Sequence, residues 1–195
     1  MAKVYAFLTE GFELVEALAV VDVLRRASIE VVTVSIMDKK NVLSAQKVEV
    51  VADTMFADND YKDADVLFLP GGPGTKGLEA HAGLAHTLKM HYAAGKKLLN
   101  ALKEHDKKGK RIAAICAAPS ILGRIGLLKG KKATCFPGFE NELKGAQFVQ
   151  ERVVWDGNIV TSRGMGTAID LGLSLVGTLV SDKIAGMLAH SIQYK

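Results

Sequence analysis

Short apolar runs alternate with amphipathic stretches along the whole chain. KVYAFL (3–8), EVVTVSIM (30–37), ADVLFLPGG (64–72) and RIAAIC (111–116) are brief and rich in β-branched and aromatic residues. Runs of this length and makeup predict strands. After the first run, ELVEALAVVDVLRRA (13–27) sets Leu14, Leu18, Val21 and Leu24 on one stripe of a helix. AAPSILGRIGLL (117–128) fits a helix with proline in its first turn. KVEVVAD (47–53) alternates and predicts an edge ribbon. RVVWDGNIVTS (152–162) reads as a hairpin turning at Asp156-Gly157. GTAIDLGLSLVGTLV (166–180) predicts a helix, with one more short helix after it.

Strands separated by helices imply βαβ units, hence an α/β fold with a mostly parallel sheet and helices on both faces. The 195 residues suit a single domain with a full core. In such sheets, sites form beyond the carboxyl ends of the strands. Residues 9–16, 70–75 and 116–119 are expected to meet there.

Composition narrows the class. About half the residues are apolar (49%) and 24% are charged, which is globular rather than disordered. No apolar stretch reaches the roughly 20 residues of a membrane helix. The opening MAKVYAFLTEGFE makes a poor signal peptide, so a cytoplasmic location and no membrane partner are expected. The net charge of +4 owes much to Lys96, Lys97, Lys103, Lys107, Lys108, Lys110 and Arg111. A solvated helix face accounts for that run, and without stacked aromatics no nucleic-acid partner is expected. Cys116 and Cys135 are the only cysteines; they read as reduced thiols. No CxxC or HExxH pattern calls for a metal.

Residues 78–110 exceed what one crossover helix needs. LKMHYAAGKK (88–97) and LKEHDKKGKR (102–111) match at five positions, which reads as a helical extension or local duplication. His86, His91 and His105 fall here and are expected at the surface rather than around a metal.

Four segments carry candidate chemistry. Cys116 sits where a strand runs into a helix, at a joint that suits a nucleophile elbow. Helix N–H groups beyond it would favour thiolate and lower its pKa from about 8.5; the alternative is an inert core thiol. LPGGPG (69–74) can free a backbone N–H to face an oxyanion, or can be an ordinary turn. It lacks the endings of nucleotide-binding loops, so nucleotides are disfavoured. In TEGFELVE (9–16), Glu10, Glu13 and Glu16 are spaced for a first helical turn. Glu16, among apolar neighbours, is the one whose burial could hold a proton for acid–base work. TSRGMGTAID (161–170) offers Arg163, which binds an anion or fastens a loop.

EGFELVEALAVVDVLRRASIEV, DVLFLPGG, AAICAAP and RVVWDGNIVTSRGMGTA, with their spacing, resemble the ThiJ/PfpI superfamily on its DJ-one branch. The resemblance spans nearly the whole chain apart from 85–110. It implies a flavodoxin-like three-layer sandwich and a homodimer. It also implies that Cys116 is the readily oxidised cysteine and that Glu16 contacts its sulfur. Gly72, next to Gly71, and Ala117 would supply the backbone N–H donors, and Arg26 would lie near the dimer-side entrance. Two departures matter. Peptidase members carry histidine directly after the cysteine, where this chain has Ala117, so peptidase activity is not expected. Glyoxalase-competent members often carry a histidine where Phe136 stands, which leaves Glu16 to move protons alone or with water.

The resulting expectation is a cysteine-dependent protein of oxidative and carbonyl stress needing no cofactor: a glyoxalase or deglycase acting on methylglyoxal-type aldehydes or glycated adducts. The alternative is a redox sensor or redox-regulated chaperone without turnover. A link to thiamine-thiazole metabolism rests on the family name alone.

Overall fold

The computed structural model describes residues 1–75 and 86–194, the side chains of 86–94 excepted. Seven strands form one sheet. In chain order they are β1 (Lys3–Leu8), β2 (Glu30–Ser35), β5 (Thr54–Met55), β6 (Val66–Leu69), β7 (Arg111–Ile115), β10 (Val153–Asp156) and β11 (Ile159–Ser162). Their spatial order is β10-β11-β7-β6-β1-β2-β5, parallel except for β10. The chain therefore winds outward from β1 through β2 to β5, then returns to β6 and winds the other way. This reversal between β1 and β6 opens a crevice at their carboxyl ends.

Period-two alternation divides the core between the two faces. Tyr5, Phe7, Leu67, Leu69, Ile112 and Ala114 point to one side, where they pack with Leu98 and Leu102 of α2 (His86–Lys107) and with Ile121 and Leu122 of α3 (Pro119–Arg124). Val4, Ala6, Val66, Phe68, Ala113 and Ile115 point to the other. There they meet Val20 and Leu24 of α1 (Leu14–Arg26) and Leu171 and Leu175 of α4 (Ala168–Leu179). A further helix, α5 (Asp182–Ser191), packs on α4. This is the expected three-layer, flavodoxin-like arrangement. Among the described residues, no helix is long and apolar enough to cross a membrane.

Several local expectations shift. The stretch 47–53 does form a ribbon, but β4 (Glu49–Val51) pairs with β3 (Asn41–Leu43) apart from the main sheet. β5 closes the sheet edge instead. The hairpin pairs Asp156 with Ile159, so its two-residue loop is Gly157-Asn158, one residue later than expected. Gly157 takes φ +61° there, which a side chain would resist. A small parallel pair, β8 (Lys132–Ala133) and β9 (Gln147–Phe148), is too short to show a period in sequence.

Within α2, Lys96, Lys97, Lys103 and Lys107 are exposed while Leu98 and Leu102 are buried, as a solvated basic face requires. The face does not take in the whole basic run: Lys108 follows the helix, and Lys110 and Arg111 are half-buried at the entry to β7, Lys110 donating to Lys62 C=O and Ala64 C=O. His105 corrects the expectation of surface histidines: it is 4% exposed, on the face that packs against the sheet. The side chains of His86 and His91 lie outside the described residues, as do 78–85 of the long segment.

Candidate active site

β7 runs straight into the turn before α3, and Cys116 occupies the joint with φ +64°. An extended residue after Ile115 would point to the opposite face of the sheet. The left-handed backbone instead keeps the sulfur on the Ile115 side, beneath α1. Such a conformation costs a non-glycine residue about 1–2 kcal/mol. It persists because the backbone is tied down on three sides. Cys116 N–H donates to Ser162 C=O at 2.9 Å, Phe136 N–H donates to Cys116 C=O at 2.9 Å, and Ala118 N–H closes on Ile115 C=O at 3.0 Å.

Glu16 reaches the sulfur from the first turn of α1. It is 1% exposed, and its carboxyl is hydrogen-bonded to the Cys116 side chain. Gly71 joins the two elements. Its N–H donates to Glu16 Oε2 at 3.0 Å and its C=O accepts the Glu13 N–H at 3.0 Å. A Cβ on Gly71 would stand 2.5 Å from Glu16 Oε2 and 2.6 Å from Cys116 Cβ, so no side chain fits there. Next to it, Gly72 takes φ +98°. The N–H groups of Gly72 and Ala117 both face the sulfur as donors. The three segments expected at one sheet edge thus meet within hydrogen-bond distance.

The electrostatics differ from the expectation of a thiol lowered by a helix. α3 is only six residues long and starts at Pro119, so it brings little field to the sulfur. Burial pushes the Cys116 thiol up to about 12, the Glu16 charge beside it adds to the rise, and the two backbone N–H groups oppose it. Burial likewise pushes Glu16 up to about 7, against hydrogen bonds from Cys116, Gly71 N–H and Met165 N–H. Each group's charge disfavours the other's, so the two titrate as a pair. The thiolate becomes accessible when Glu16 holds the proton, because a neutral carboxylic acid removes the like charge and donates a hydrogen bond.

The remaining candidates divide. Phe136 is 47% exposed at the rim, its ring 3.3 Å from where a Cβ on Gly164 would lie. Arg163 follows β11; its Nη1 is buried without a hydrogen-bond partner among the described residues, and its charge reaches Cys135. Arg26, in contrast, is not brought to the site of its own chain. It ends α1 ten residues from Glu16, about 15 Å along the helix, and pairs with Asp22 at 2.7 Å. Cys135 is fully buried on the other face of the sheet, where burial and Glu140 push its thiol up to about 12. The sequence reading missed Met165, whose backbone N–H serves Glu16. Its only signal was the glycine-rich turn that had singled out Arg163.

The DJ-1/PfpI family sequence model matches residues 2–178. A relative from Arabidopsis thaliana, "Protein DJ-1 homolog B", is 38% identical over 87% of this chain and 36% of its own length. A second from that plant, "Protein DJ-1 homolog A", matches over 45% of its length, so this chain spans less than half of either. "Protein DJ-1alpha" of Drosophila melanogaster is 34% identical, over 95% of this chain and 81% of its own. "Glutathione-independent glyoxalase DJR-1.2" of Caenorhabditis elegans is 28% identical over 87% of this chain and 84% of its own. Among solved structures, Toxoplasma gondii DJ-1 in an oxidized form superposes with TM-score 0.88 at 32% identity, covering 100% of this chain and 99% of that one.

Proposed function

Because the chain belongs to the DJ-1/PfpI family, we propose that it is a cysteine-dependent, cofactor-independent enzyme of carbonyl stress that converts methylglyoxal-type aldehydes to hydroxy acids. The observation that carries this reading is the buried Glu16 carboxyl, hydrogen-bonded to a sulfur that also faces two backbone N–H groups. The glyoxalase name of the nematode relative supports it.

The Cys116 thiolate adds to the aldehyde carbon, forming a C–S bond. The N–H groups of Gly72 and Ala117 steady the oxyanion, and Glu16 gives it a proton to complete the hemithioacetal. Glu16, now a carboxylate, takes the proton from the former aldehyde carbon. Returning that proton to the neighbouring carbon converts the enediol to a thioester. The first carbon is oxidised and the second reduced, so no external oxidant enters. Water then releases the hydroxy acid and restores the thiol. Phe136 offers no imidazole, so Glu16 and water carry every proton. Arg163, whose buried Nη1 has no hydrogen-bond partner among the described residues, would bind the substrate. The adduct of an early glycation product would enter the same pathway, the deglycase version.

The test is methylglyoxal supplied without glutathione, with lactate followed in wild type, Cys116→Ala and Glu16→Gln. Turnover only in wild type is expected; equal lactate formation in all three overturns the mechanism.

A homodimer in the cytoplasm is part of the reading. Val15 on α1 and Val51 on β4 are 44% and 64% exposed, apolar side chains of the kind a second copy would cover. Arg26 could reach a site only across such an interface. Sedimentation that returns a monomer at micromolar concentration would remove this part. The two unpaired cysteines suit a reducing compartment.

The redox-sensor alternative has its own support: the Gly72 and Ala117 N–H groups and the Glu16 acid are three donors that fit the oxygens of a sulfinate. Mild peroxide adding one or two oxygens at Cys116, without aldehyde turnover, would favour it.

A further inference from the structure

Glu16 is approached from a fourth side, by a loop that the mechanism above does not use. This loop runs from the end of β11 to the start of α4. It sets Gly164 and Met165 beside the carboxyl: a Cβ on Gly164 would lie 3.7 Å from Glu16 Oε1, and Met165 N–H is the weakest of the donors that favour the carboxylate. Met165 itself is 56% exposed, so its side chain does not anchor the loop. The anchor is a pair of buried hydroxyls. Thr167 is 6% exposed and Ser162 fully buried. Thr167 Oγ1 accepts the Gly164 N–H at 3.1 Å. Ser162 Oγ donates to Arg152 C=O at 2.7 Å, so the 2.7 Å contact between the two hydroxyls uses the Thr167 hydrogen, with Gly164 C=O at 2.9 Å as its other acceptor. One hydroxyl thus holds the Gly164 main chain, and a second ties that hydroxyl to the residue before β10.

We propose that Thr167, backed by Ser162, is a positioning residue that holds the Met165 N–H on the Glu16 carboxyl and so tunes the proton exchange between Glu16 and Cys116. Neither hydroxyl touches the reacting atoms. The inference rests on Cys116 and Glu16 being the reacting pair. An N–H donor favours the charged carboxylate, so a loosened loop leaves Glu16 protonated to higher pH. Besides Met165, the groups that face the carboxyl are Gly71 N–H, the Cys116 thiol and the charge of Glu13 from its own turn. None of these is held by the loop hydroxyls.

The experiment is the pH profile of Cys116 alkylation by iodoacetamide, read by intact mass, in wild type, Thr167→Val, Thr167→Ser and Ser162→Ala, with melting temperatures alongside. Thr167→Val keeps the shape and removes the hydroxyl; its midpoint should move up by a few tenths of a unit. Thr167→Ser restores the hydroxyl and should return the wild-type midpoint. Ser162→Ala should move it the same way by less, and it decides the matter if Thr167→Val does not fold. A midpoint unchanged in both hydroxyl-free variants overturns the proposal, as does an equal shift in Thr167→Ser and Thr167→Val. Alkylation needs no aldehyde turnover. A protein inert to methylglyoxal would therefore sink the enzymatic reading and leave this comparison valid, whereas unmoved profiles in an active enzyme would sink only this one.

Discussion

At the scale of residues, the account turns on one shared proton. Glu16→Gln keeps a hydrogen-bond donor beside the sulfur but cannot exchange a proton. Alkylation of Cys116 should then lose its step near pH 7, because burial still raises the thiol and no carboxylate takes its proton, and lactate formation should fall by about 10²-fold or more. An unchanged alkylation step in this variant would show that Glu16 does not share the thiol's proton. Gly71 makes a sharper steric prediction. Gly71→Ala would force a methyl group to 2.5 Å from the Glu16 carboxyl, so both turnover and stability should fall, the latter by about 1–3 kcal/mol in urea unfolding. Cys116 was legible in the sequence because strand-to-helix joints are few and a lone cysteine at one is conspicuous. Its proton partner was legible as an acidic residue set among apolar ones. The direction of the thiol's shift was not. Helix polarity is a sequence-level inference, whereas desolvation and the charge of Glu16 depend on how deeply the pair is buried.

At the scale of elements, the β7–α3 elbow stores strain. Cys116 holds φ +64°, a region open to glycine. Cys116→Gly should therefore unfold about 1 kcal/mol less readily than Cys116→Ala, and equal stabilities would show the elbow to be unstrained. Long periodic segments such as α1 and α4 were readable because their apolar stripes span several turns. The helix expected over 117–128 stops at Arg124, since Gly123 and Gly126 give the stretch little helical preference. The ribbons and the Met165 loop were unreadable for a related reason. Two- and three-residue strands carry no period, and a main-chain N–H has no letter in the sequence.

At the scale of the molecule, two buried ionisable groups tilt stability in opposite directions. His105 is held neutral by burial, its folded pKa lowered from 6.5 to about 4, and its Nε2 has no hydrogen-bond partner among the described residues. Between those values the unfolded chain binds more protons, so this group removes stability as pH falls from about 6.5 to 4, by about 3 kcal/mol. Glu16 does the reverse. Its folded pKa is raised from 4.5 to about 7, so its contribution is present below 4.5 and is lost as pH rises to 7. The two slopes overlap and oppose each other. Urea unfolding across pH 4.5–7 should thus show stability declining with pH in His105→Leu and rising with pH in Glu16→Gln. Parallel curves for the two variants would contradict both assignments. The fold itself was largely readable, because doubly wound α/β sheets announce themselves through alternation. His105 was not, because its burial depends on which side of α2 meets the sheet.

The most direct test of the central claim is the pH dependence of Cys116 alkylation in the wild-type protein. If Glu16 accepts the thiol's proton, reactivity should develop in a step near pH 7, where burial has moved the carboxyl. Reactivity that rises only at or above the free-thiol value of about 8.5 would contradict the account, because the pair would then hold no shared proton at neutral pH.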